Sequence, residues 1–110
     1  MTLFDTIPVD YDEAVEMLAR WHAESFDFPV RIYTVPDPNR EQVRLVEVSD
    51  EFPKPGPALP IPLGRSEKFP FKSAVALATE PEWKDIQAGR IAFPDDWDLT
   101  KARQVWPPND

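Results

Sequence analysis

The chain is expected to fold as an α+β domain: a small antiparallel sheet of three to four strands, with an N-terminal amphipathic helix and a second short helix packed on it. Three observations predict this. Fourteen prolines, set in clusters, cap the length of every element, because proline lacks an N–H and is excluded from helix interiors and central strand positions. Residues 11–25 carry an apolar stripe at helical spacing, and residues 69–78 alternate at strand spacing.

The first element is a helix from Tyr11 to Ser25. Asp10 is a suitable N-cap, with Glu13 three residues on, and Val9 can staple onto Ala14. Asp12 and Glu13 sit where the helix dipole favours acids. Tyr11, Ala14, Val15, Leu18, Trp21, His22 and Ser25 form the expected inner face, with Asp12, Glu16, Ala19, Arg20 and Glu24 mostly opposite. Pro29 ends any continuation.

A hairpin follows, with strands at Pro29–Val35 and Gln42–Val48 joined by the turn cluster Pro36-Asp37-Pro38-Asn39. Arg31, Arg44 and Glu47 interrupt the alternation, which predicts one buried face and one partly wet face. Residues 53–62 form a proline-dense loop suited to extended polyproline conformation. The best strand is Phe69–Ala78. Its three alanines, Ala74, Ala76 and Ala78, share a face that either helix could approach closely.

Thr79 to Gly89 reads as a second helix: Thr79 and Glu82 make a capping box, Pro81 fits the first turn and Gly89 fits the position after the C-cap. Arg90–Phe93 is expected as a brief strand and Pro94–Trp97 as a turn. Asp98 or Thr100 would cap a last helical turn or two, carrying Leu99, Ala102, Val105 and Trp106 and stopped by Pro107-Pro108. Residues 1–110 are read as one domain, with 107–110 as a frayed tail.

The net charge is −8, and it is concentrated: residues 1–28 hold seven acids against Arg20 alone. Such a surface repels phosphate backbones and anionic lipid, so neither nucleic acid nor a membrane is an expected partner. The first ten residues carry no basic residue and no apolar run approaches a membrane span, so a cytoplasmic location is expected. The chain has no cysteine, which excludes disulfides, thiolate catalysis and Cys-based metal sites.

No catalytic constellation is present. The serines lie in no Gly-x-Ser-x-Gly context, and three scattered glycines cannot cradle a phosphate. His22, the one histidine, sits on the apolar side of its helix, where packing explains it better than base catalysis. Asp95, Asp96 and Asp98 could together approach Mg²⁺ or Ca²⁺, but their ordinary role as turn and cap residues is favoured, so no metal or cofactor is expected. Lys54 to Pro60 matches a basic-x-x-Pro-x-x-Pro ligand, a short pattern better read as a rigid loop.

The expected function is a small acidic, non-enzymatic protein-binding or regulatory module. Its interface would use Trp97 and Trp106, read as the exposed tryptophans, with Asp95, Asp96 and Asp98, and a second acidic surface of Asp12, Glu16 and Glu24. Self-association through strand 69–78 or the 29–48 hairpin is the plainer form of the same expectation. The alternative is a small enzyme or ligand-binding subunit whose site lies between helix and sheet, with His22, Tyr33 and Arg44 as its polar groups.

Overall fold

The computed structural model describes residues 10–52, 60–63 and 69–108. Two helices, α1 (Tyr11–Glu24) and α2 (Glu80–Gln87), and five strands, β1 (Arg31–Thr34), β2 (Gln42–Val48), β3 (Ile61–Leu63), β4 (Lys72–Ala78) and β5 (Arg103–Trp106), make up the fold. The class is α+β, as expected. The sheet is larger than expected and is mixed: its strand order is β3-β4-β2-β1-β5, and its central pair, β2 and β4, runs parallel from Gln42↔Lys72 to Val48↔Ala78. A parallel neighbour needs a long return connection, which residues 49–71 supply. Part of that connection, β3, turns back to pair antiparallel with β4. Pro62 is tolerated there because β3 is an edge strand.

The helices take opposite faces of the sheet. Val43 and Leu45 of β2, Ile32 of β1 and Val75 of β4 pack with Ala14, Val15, Leu18 and Ala19 of α1. Val46, Val48, Ala74 and Ala78 pack on the other side with Trp83 and Ile86 of α2 and with Trp97. The alanine face of β4 therefore receives the second of the two candidate helices. With a helix on each side, β2 has no wet face, and residues 43–48 are all buried.

Local chemistry explains the helix ends. The Asp10 carboxylate accepts the Glu13 N–H at 2.8 Å. Thr79 and Glu82 form a reciprocal capping box, and Gly89 takes φ +78° just past α2, where a Cβ would be strained. The buried stripe of α1 is rotated from the expected one. Ala19 is 1% exposed and Trp21 is 40% exposed, because the small side chains of Ala19 and Ala23 let the helix settle closer to the sheet on that side.

Two C-terminal expectations are corrected. Residues 90–93 form no strand, although Ile91 and Phe93 pack on the α2-side core. The expected final helix is one 3-10 turn, Leu99–Lys101, followed by β5. A helix halted at Pro107 would be too short to hold itself, whereas as a strand the segment pairs antiparallel with β1, Tyr33↔Gln104 and Ile32↔Trp106. The Val9 staple, the Lys54–Pro60 motif apart from Pro60, and all but the last three residues of the 53–62 loop lie outside the described residues. No helix among the described residues is long and apolar enough to cross a membrane.

Candidate functional site

The sheet separates the expected polar trio. His22 lies on the α1 side, where its Nδ1 stands 2.8 Å from Oε2 of Glu47. Glu47 is 1% exposed, and that oxygen completes no well-aligned hydrogen bond within the described residues. Tyr33 and Arg44 lie on the α2 side, each with its own partners. The Tyr33 ring packs on Trp83 at 4.9 Å and its hydroxyl accepts from Arg31 at 2.7 Å. Arg44 is buried, donates to the backbone carbonyl of Asp96 at 2.6 Å and to its carboxylate at 2.9 Å, and stacks over Trp97 at 5.4 Å. These three residues converge on no shared cleft.

The expected interface also divides. Trp97 is 6% exposed; Arg44 on one side and Phe93 on the other make it core, and it offers no surface to a partner. The neighbouring carboxylates diverge. Asp96 holds Arg44, Asp95 points to solvent, and Asp98 caps the 3-10 turn through Thr100. The Thr100 hydroxyl holds the Asp98 carboxyl below the usual carboxylate range. No three His, Asp or Glu side chains among the described residues are grouped to hold a metal ion. Trp106 is different: it is half-buried on β5. Asp12, Glu16 and Glu24 are exposed along the outer side of α1.

What the fold builds from these pieces is a furrow between α1 and the edge strand β5. Three grooves follow one another along it. The first, about 320 Å³, is lined by Tyr11, Asp12 and Val15 on one wall and by Arg40, Lys101 and Arg103 on the other. The second, about 450 Å³, lies between Glu16 and Arg20 of α1 and residues Arg103 to Trp106 of β5. The third, about 580 Å³, opens beyond Ala23, with Phe28, Asp50, Glu51, Glu80 and Trp106 among its walls. Arg103 borders the first two and Trp106 the last two, so the grooves are neighbours.

The two ends of the furrow differ in charge pattern. Arg40, Lys101 and Arg103 gather at one end. Asp37 lines that end too; its oxygens accept the N–H groups of Asn39 and Gln42 at 2.9 and 2.8 Å, and one of them stands 3.9 Å from the Arg44 guanidinium. Asp12 stands 3.8 Å from Arg40, and Asp98 the same distance from Lys101. Arg40 holds its place through a backbone of φ +53°, with its guanidinium 5.3 Å over the Tyr11 ring. A non-glycine residue in that region is uncommon. At the opposite end Asp50 and Glu51 are exposed, while Glu80 pairs with Arg31. Along the middle, β5 pairs with β1 on one side only, and no described strand covers its other edge. Such an edge presents unpaired backbone N–H and C=O groups.

Sequence reasoning missed Arg20, Arg40, Lys101, Arg103, Asp50 and Glu51. Each looks like an ordinary surface charge until the topology brings the β1–β2 turn, β5 and the exit of β2 to the two ends of one helix. Comparison with protein-family models, with curated proteins and with solved structures finds no match.

Proposed function

We propose that this chain is a non-enzymatic protein-binding module that receives an extended segment along the α1–β5 furrow. The observation that carries this reading is the edge of β5 that no described strand covers, set in a furrow that holds Arg40, Lys101 and Arg103 beside Asp12, Asp37 and Asp98 at one end and Asp50 and Glu51 at the other. A strand laid against β5 would gain main-chain hydrogen bonds, the mode by which exposed sheet edges take peptides. Val105 and Trp106 supply apolar contact at its centre, and the charged ends set its direction. Catalysis is the weaker reading, because His22 and Glu47, the pair with acid–base character, line none of these grooves.

The test is a titration with a synthetic hexapeptide carrying two glutamates at one end, Val-Thr in the middle and two lysines at the other, followed by amide NMR shifts. The expected result is saturable shifts at 103–106, on the outer row of α1 and at the two charged ends, lost as salt is raised beyond the screening range. No shift at millimolar peptide, or shifts confined to the α2 face, would overturn the reading.

One observation favours a second reading, a small-molecule site. The third groove lies at the carboxyl ends of parallel β2 and β4, where the chain leaves toward opposite faces of the sheet. Ligands of open α/β sheets favour that position, and Asp50 and Glu51 would select an organic cation.

A further inference from the structure

We infer that the third groove, at the carboxyl ends of β2 and β4, takes an ammonium or guanidinium group carried on an apolar stem. The inference deepens the small-molecule reading and rests on it; it does not need a peptide along β5. Charge is the first argument. Four charged side chains line the groove: Arg31, Asp50, Glu51 and Glu80. Arg31 and Glu80 pair with each other, and the Arg31 guanidinium also donates to the Tyr33 hydroxyl at 2.7 Å, so these two charges cancel. The carboxylates of Asp50 and Glu51 are exposed and meet no cation among the described residues. The groove therefore carries two uncompensated negative charges and no free positive one.

The acidic turn is also held in place. The Ser49 N–H donates to the Ala78 carbonyl at 3.0 Å. Its hydroxyl donates to the Pro29 carbonyl at 2.9 Å and accepts the Glu51 N–H at 3.1 Å. Residues 49–51 are thus tied to the end of β4 and to the approach to β1, which spares a ligand the cost of ordering them. The remaining walls are apolar. Trp106 and Phe28 are both half-buried, and the Phe28 ring is wedged 5.2 Å from Phe26 and 5.6 Å from Phe52. Aromatic faces beside carboxylates suit an organic cation, whose charge the rings attract and whose stem they cover. The volume, about 580 Å³, is ordinary for a small-molecule site. A divalent metal is a poorer fit, because it needs more oxygen ligands than two exposed carboxylates offer, and no three His, Asp or Glu among the described residues are grouped to supply them. A second copy of the chain is poorer too. The strands expected to self-pair, β4 and the β1–β2 hairpin, are interior, each with a neighbour on both sides.

The test titrates the full chain with three probes at constant ionic strength: phenethylammonium, its neutral counterpart 2-phenylethanol, and Nα-acetyl-lysine methylamide. Amide NMR and the Trp106 indole N–H give the readout. Phenethylammonium is expected to cause saturable shifts at 28–31, at 48–51 and at the indole, and to bind at least about fivefold more tightly than the alcohol. Asp50→Asn with Glu51→Gln alters two exposed positions and should remove that advantage while leaving the alcohol's binding as it was, with circular dichroism unchanged. The lysine derivative distinguishes the source of the cation: binding tighter than phenethylammonium assigns the groove to a lysine side chain of a polypeptide, and weaker binding to a free amine. Equal binding of amine and alcohol, or amine binding unmoved by the double variant, overturns the inference and leaves the groove as a ligand site of another kind. No shift at 28–31 and 48–51 with any probe at millimolar concentration overturns the inference and the small-molecule reading together. Neither result touches the peptide reading, which stands or falls on shifts at 103–106 with the hexapeptide.

Discussion

Replacing His22 with Leu leaves the Glu47 carboxylate, 1% exposed, without the imidazole that stands 2.8 Å away. Breaking a buried pair from one side strands a charge, whereas replacing both partners with apolar residues is often neutral. His22→Leu is therefore expected to cost about 2 kcal/mol, less than a fully buried pair because the imidazole is part-exposed. His22→Leu combined with Glu47→Met should return most of that loss, as urea denaturation would measure. Tyr11 makes a second prediction. Its hydroxyl donates to the Gln42 carbonyl at 2.7 Å, and burial, reinforced by the negative charge of Asp37, pushes its pKa above the usual tyrosine value. A raised folded-state pKa adds stability that is complete below the unfolded value and is lost as pH rises through the folded one. Tyr11→Phe should thus cost about 1 kcal/mol up to about pH 10, and the gap between variant and parent should narrow above it. In the sequence, Arg44 and Glu47 look like blemishes in a strand pattern. Asp96, which accepts two of Arg44's hydrogen bonds, and His22, beside Glu47, lie far off in the chain, so only the fold reveals these pairings.

Elements were legible where their signals are local. The caps of both helices and the full span of β2 follow from residues within a few positions, and the structure places them as read. Gly89 tests this directly. A Cβ there would meet nothing within 4 Å, so Gly89→Ala should cost about 1 kcal/mol from backbone strain alone, measurable as a lowered thermal midpoint without change in the α2-side packing. β3 and β5 were not legible. Ile61-Pro62-Leu63 lies in a run whose prolines argue against a strand, and only pairing with β4 overrides that. Leu99 to Trp106 has helical spacing, and pairing with β1 decides it otherwise. In both cases a distant partner outweighs local propensity.

At the scale of the whole molecule, the direction of β4 and the placing of one helix on each face depend on the route of residues 49–71, which composition does not encode. The charge pattern is similar. The sequence reads as acidic, most strongly at its N-terminal end, yet the fold gathers three cations beside Asp12, Asp37 and Asp98 at one end of α1 and two exposed carboxylates beyond the other. Any association along that furrow should weaken as ionic strength rises, since its end charges are exposed and screened over about 10 Å at 0.1 M salt. Of the expected interface residues, Trp106 and Glu16 line the furrow, Asp12 joins its basic end, and Asp95, Asp96 and Asp98 do not line it.

The central claim is that the open edge of β5 is where this protein meets its partner, and site-resolved amide hydrogen exchange tests it most directly. Exchange would be recorded in dilute protein before and after saturation with the polarised hexapeptide. The account predicts that protection rises within residues 103–106 while Ile61–Leu63 and α2 stay as they were. Protection that appears at β3 or on the α2 face, with 103–106 unchanged, would contradict it.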